Sequence, residues 1–121
     1  MTKKVSFEVL GQVVAKANHY MSAQGRIIKD AEIRAYERAF ALQAGKFRGA
    51  RIGEPFRLSV KVYFRSMRSD LDNALKTLLD CLQDAEIITD DNLCMEIQAS
   101  KGVSRTPKAV ICVETLEETL F

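Results

Sequence analysis

Between Phe56 and Phe64 the residues alternate without a break. Phe56, Leu58, Val60, Val62 and Phe64 face one way, and Arg57, Ser59, Lys61 and Tyr63 face the other. A period of two marks a strand with one buried face. The same rhythm runs through Val5, Phe7 and Val9 until Gly11, through Leu93, Met95, Ile97 and Ala99, and into the β-branched run Ala109 to Thr115. Two stretches follow a helical period instead. Ile33, Tyr36, Ala39, Phe40 and Leu42 form a stripe after Asp30, whose side chain is suited to capping exposed amides. Leu71, Ala74, Leu75, Leu78, Leu79 and Leu82 form a stronger one after Ser69, with Asp72 three residues on as in a capping box. Residues 12–29 have no clear period and read as irregular, and the glycine-rich basic segment 45–55 reads as a loop.

The order is strand, helix, strand, helix, strand, strand (β-α-β-α-β-β). It predicts an α+β fold, a single domain over 1–121 with a mixed sheet of about four strands and both helices packed on one face. A chain of 121 residues supports one core and not two. No stretch is apolar enough to span a membrane, and Glu8 interrupts any signal-peptide core, so the expectation is a cytoplasmic protein. Cys81, Cys94 and Cys112 are an odd, widely spaced set without a C-x-x-C pair, which fits reduced thiols. With His19 as the one histidine, histidine-rich metal sites are excluded.

Charge changes the picture through its distribution. The total is +2, yet residues 1–69 hold 14 of the 18 Lys and Arg and 5 of the 16 acids, a net of +9, leaving −7 for residues 70–121. A basic half fits a polyanion, and the acidic half needs its own reason. That reason lies in Arg68-Ser69-Asp70-Leu71-Asp72-Asn73-Ala74-Leu75-Lys76, followed by Asp90-Asp91-Asn92. Alone, Asp72 and Lys76 would be an ordinary i, i+4 pair on a solvated helix face. Residues two apart on a helix diverge, so Asp70 and Asp72 share a site only if Asp70 lies at or before the N-cap. The link back to the third strand, Asp84 to Asp91, is expected to bring Asp91 to them. Carboxylates gathered at one point repel unless cations bind, and oxygen ligands without His or Cys select Mg²⁺, with Mn²⁺ as a substitute. Beside Lys76, such a cluster points to phosphate chemistry.

Arg-Ser-Asp-Leu-Asp-Asn-x-x-Lys, then Leu79-Asp80, then Asp90-Asp91 resembles the signature of RusA-type Holliday junction resolvases. Asn18, Arg26 and Tyr36 match the family more weakly, as does Lys101 after the third strand. The likeness spans roughly residues 5–115. It implies a homodimeric, Mg²⁺-dependent endonuclease that nicks opposed strands of a four-way junction in recombination and repair, leaving 5′-phosphate and 3′-hydroxyl ends. By matching positions it makes Asp70, Asp72 and Asp91 the catalytic metal ligands, Asp90 a secondary ligand and Lys76 the essential lysine. Asn18, Arg26 and Asn73 then join Arg65 and Arg68 of the polar turn read at 65–69, and Lys101, Arg105 and Lys108 of the basic turn read at 101–108, as expected DNA contacts. The chain departs from the pattern at Glu86, where family members commonly have a glycine shortly before the Asp-Asp pair. It also departs at Val13-Val14-Ala15-Lys16 and in the loop 45–53, which is as readily a solvated connection as a DNA-contacting arm.

Two other readings stand beside this one. A haloacid-dehalogenase-type phosphatase also uses D-x-D, but directly after a buried strand, whereas five polar or flexible residues separate Phe64 from Asp70. The other is a non-catalytic junction-binding protein. The terminal Glu117-Glu118-Thr119-Leu120-Phe121 resembles short peptides that bind a replication sliding clamp through a pair such as Leu120 and Phe121, or is simply a tail that packs on its own domain.

Overall fold

Strand β4 (Phe56–Phe64) has a sheet neighbour on each side and its alternating apolar residues buried, so the fold is organised around it. The computed structural model describes residues 2–15, 20–23, 26–29 and 31–116, and for 20–23 and 26–29 the backbone alone. Strand β1 (Lys4–Leu10) is followed by β2 (Tyr20–Ala23), β3 (Arg26–Lys29) and helix α1 (Ala31–Ala44). After β4 come helix α2 (Leu71–Asp84), β5 (Cys94–Val103) and β6 (Lys108–Thr115). The main sheet has the order β1-β6-β4-β5. β6 is antiparallel to both its neighbours, while β5 runs parallel to β4, as the intervening α2 crossover requires.

This is the expected α+β sheet with one helix-covered face. Val5 and Val9 of β1, the apolar set of β4, and Ala109, Ile111 and Val113 of β6 form one core with Tyr36, Phe40 and Ala44 of α1 and Ala74, Leu78, Cys81 and Leu82 of α2. Burying each large side chain of that set is worth about 1.5–3 kcal/mol, which is why both helices lie on the same face.

Several expectations need correction. Residues 20–23 and 26–29 are not irregular but an antiparallel pair of strands, with Tyr20 opposite Lys29 and Ala23 opposite Arg26. Strands of four residues hold too few alternations to show a period. Leu42 is 84% exposed and not part of the buried stripe of α1, where Ala44 takes the next turn of contact. On α2 the buried face is Ala74, Thr77, Leu78, Cys81 and Leu82, and Leu71, Leu75 and Leu79 are only half-buried along one flank. The basic turn of 101–108 is shorter than expected, because Lys101 still belongs to β5 and Lys108 to β6. Capping by Asp30 lies outside the described residues.

The loop 45–55 is fastened to the domain. Phe47 stacks on Phe7 at 5.0 Å, Ile52 is buried and bridges to Ile88, and Arg48 pairs with Glu86 at 3.2 Å. The end of α2 explains the departure noted at Glu86. Ala85 is the C-cap, Glu86 donates its N–H to the Gln83 carbonyl, and Ile87 donates to the Leu82 carbonyl. Buried Leu82 and Ile87 complete a Schellman ending, whose C′ position is left-handed and ordinarily glycine. Glu86 occupies it at φ 61, and the hydrogen bond and charge of Arg48 hold its carboxyl below the usual range.

Glu86→Gly relieves the left-handed strain and loses only a pair of exposed side chains. A thermal melt should rise by about 2–4 °C. A fall of the same size would mean that the Arg48 contact dominates.

Candidate active site

Asp70 is the N-cap of α2, with extended backbone at φ −87 and ψ 126, so Asp70 and Asp72 are not held on opposite sides of a helix. Ser69, expected as the cap, precedes it. The Asp70 carboxylate makes no capping hydrogen bond, which is unusual for an aspartate in this place. Asp72 lies in the first turn, and its Oδ1 accepts from the Asn73 amide at 3.0 Å. At about 100° per residue, Asp72, Lys76 and Gln83 fall on the pole of α2 opposite its buried face. Asp72 and Lys76 are both exposed, and neither forms an ion pair among the described residues. The pairing that would make this face merely a solvated one is therefore absent there.

Asp70, Asn73, Arg68 and Ser69 line a polar cleft of about 310 Å³ together with Gln12, Val13, Val14, Ala15 and Glu32. The far wall is set by hydrogen bonds from α2 and the turn before it. Buried Thr77 donates to the Val14 carbonyl at 2.7 Å, and Gln12 Oε1 accepts from the Arg65 amide at 2.8 Å. Neither residue stands out in the sequence. Thr77 looks like a polar interruption of a leucine stripe, and Gln12 lies in an aperiodic segment.

Asp91 does not join Asp70 and Asp72 within the chain, contrary to expectation. It opens a short 3-10 turn (Asp91–Leu93) at the start of β5, where its N–H donates to Gln83 Oε1 at the far end of α2. A helix of 14 residues separates its ends by about 20 Å. Among the described residues no group of three or more His, Cys, Asp or Glu side chains could hold a metal ion. The six-residue link between α2 and Asp91 closes the Schellman turn and the Ile52–Ile88 bridge, so it stays at that end of the sheet. Asp90, the secondary candidate, caps the 3-10 turn by accepting from the Asn92 amide at 2.8 Å. Burial pushes the nearby Cys94 thiol up and the Asp91 charge adds to it, with backbone hydrogen bonds opposing both.

The expected DNA contacts divide. Arg65 and Arg105 line one recess of about 550 Å³ with Val103 and Ser104, close to the start of α2, and Arg68 lies in the Asp70 cleft. Lys108 instead pairs with Glu8 at 3.2 Å and sits over the Tyr63 ring on the open face of the sheet. Lys101 donates to the carbonyls of Met67 and Ser69 at 3.0 and 2.8 Å. Asn18, His19, Leu120 and Phe121 are outside the described residues, as is the side chain of Arg26 in β3.

Paired aspartates at a helix start, an outward lysine and neighbouring arginines are residue types suited to handling a phosphodiester. The profile of the family described as Endodeoxyribonuclease RusA matches residues 11–114, and the chain belongs to that family. Among curated proteins it is similar to the Crossover junction endodeoxyribonuclease RusA of Aquifex aeolicus (strain VF5). The two are 29% identical over 101 residues, which covers 81% of this chain and 80% of that protein. No helix among the described residues is long and apolar enough to cross a membrane.

Thr77→Val should destabilise the fold by about 1–3 kcal/mol, because it leaves the Val14 carbonyl without its donor at a buried position. Urea denaturation measures it, and an unchanged midpoint would show that water replaces the hydroxyl.

Proposed function

We propose that this chain cuts four-way DNA junctions as a symmetric homodimer, dependent on Mg²⁺ or on Mn²⁺ in its place, with each active site shared between two chains. The observation that carries the reading is the start of α2, where the Asp70 carboxylate is free of capping duty beside Asp72 and outward Lys76, in a chain of the RusA family. The donor chemistry fits a hard divalent ion, whereas among the described residues of a single chain no group of three such ligands is gathered.

Support for the second chain comes from the edge of the sheet. β5 has no partner on its outer side among the described residues, and an open strand edge invites pairing. Its helix-side residues are incompletely covered, with Met95 55%, Ile97 45% and Val103 51% exposed. Asn73 lines the cleft shared with Glu32 of α1, so the opposite flank of α2, with half-buried Leu71, Leu75 and Leu79, lies on the β5 side. Strand edge and leucine flank together make an apolar surface of the kind that marks an interface. A two-fold axis at that edge pairs β5 with its copy antiparallel. It also sets the beginning of one α2 beside the end of the other, which brings Asp70 and Asp72 next to the partner's Asp91. A junction offers two symmetry-related scissile phosphates to such a dimer.

A bound ion would acidify the attacking water and offset phosphoryl charge. Lys76 points outward to neutralise the phosphate being cut, and Arg65, Arg68 and Arg105 hold the neighbouring backbone. Hydrolysis leaves 5′-phosphate and 3′-hydroxyl ends, as a resolving step in recombination and repair requires for ligation.

Asp72→Asn and Asp91→Asn should each abolish cleavage as homodimers. Mixing the two variants should restore nicking, because in the mixed dimer one site has both native carboxylates. Sites built within single chains predict no recovery, and a chain that binds junctions without cutting them predicts no cleavage even for the wild type. Ile97→Lys, a charge at the centre of the edge, should sediment as a monomer and lose cleavage. A variant that remains dimeric would place the interface elsewhere.

A further inference from the structure

We infer that Lys101 is a positioning residue of the nuclease site, and that its ammonium frees the Asp70 carboxylate from capping its own helix. The inference rests on the proposed role of Asp70. An aspartate at an N-cap ordinarily fixes its own extended backbone by accepting from the second or third amide of the helix. Here that bond is absent, the Asn73 amide is taken by Asp72, and the first helical hydrogen bond, from Ala74 to the Asp70 carbonyl, is long at 3.4 Å. Something else must hold the backbone in place. Lys101 does so from β5, opposite Val62, where its side chain lies on the helix-covered side of the sheet. Its ammonium donates to the carbonyl of Ser69 at 2.8 Å and to that of Met67 at 3.0 Å, and so closes the turn that delivers the chain to Asp70. These carbonyls cannot be satisfied by helix amides, because they precede the N-cap. A charged donor on two neutral carbonyls makes a stronger fastening than a neutral one. With the turn held from outside, the Asp70 side chain is left for the reaction.

The rival reading has Lys101 as one phosphate contact among several, and the two predict different variants. Lys101→Met in the full-length chain should lower kcat on a synthetic four-way junction about 10- to 100-fold, as small misplacements of a reacting group do. KM should be unchanged, and so should the salt dependence of binding measured without divalent metal. The melting midpoint should move little, because the released Asp70 carboxylate then caps α2. That capping has its own signature, slower amide exchange at Asp72 or Asn73 without metal or DNA. Lys101→Arg, which also donates to two carbonyls, should recover most of the rate. Wild-type cleavage by Lys101→Met would overturn the inference. So would a salt slope lower by about one, the mark of a lost phosphate contact. So would loss of activity that only follows unfolding, with no recovery in Lys101→Arg. Should the wild type itself fail to cut, the proposed function falls. The exchange measurement then still decides the positioning role, with unchanged amides counting against it.

Discussion

Helix α2 is a rod pinned to the shared core by the burial of Ala74, Thr77, Leu78, Cys81 and Leu82, and most of what is functional here follows from its length. A rod of that kind cannot bend to bring its two ends together without giving up the core it makes. Asp70 and Asp72 are therefore kept at one end of the sheet, and Gln83 and Asp91 at the other. Fixed separation of like charges also spares a single chain the repulsion of three gathered carboxylates. In the proposed dimer that repulsion arises only on assembly, where a cation would offset it.

Both ends of the rod are finished by contacts from distant parts of the chain. At the beginning, Lys101 reaches across from β5 to the carbonyls of Met67 and Ser69. At the end, Glu86 takes a left-handed position that glycine would occupy more readily, and Arg48 from the loop after α1 holds its carboxylate. The basic loop 45–53 thus acts partly as a brace. Its Phe47 lies on Phe7 of β1, and its Ile52 is bridged to Ile88 in the approach to Asp91. Tyr36 nearby has a buried hydroxyl with no hydrogen-bond partner among the described residues, and burial raises its phenol well above the usual range, so its packing dominates its polarity.

The open face of the sheet contrasts with the helix-covered one. Arg57 bridges Glu96 and Glu114 across three strands, at 3.0 and 3.4 Å, and Lys61 and Lys108 flank the ring of Tyr63. A Cβ at Gly102 would come within 3.2 Å of that ring, so the glycine leaves room for Tyr63 where it lies. Charges on this face are spent on one another. Those near the start of α2, Arg65, Arg68 and Arg105, line recesses open to a ligand.

Sequence by itself determined the elements with long periods and the identity of the acidic motif. Five alternations in β4 and four turns of α2 are enough for burial to impose its rhythm, and the order of elements then leaves few ways to cover one sheet face. The Asp-Leu-Asp-Asn-x-x-Lys run was legible because its residue types serve no core. Tertiary structure alone decided what depends on contacts between remote residues. The role of Lys101 and the tie of Thr77 to Val14 join residues 32 and 63 positions apart, and nothing local records them. The half-exposed leucine flank also looked like core in the sequence, because a period reveals which residues share a side of a helix but not how far the neighbouring strand extends beneath it. Asp91 was misplaced for a related reason. Sequence proximity to a helix end does not say which end of the sheet the chain has reached, and only the packed length of α2 does.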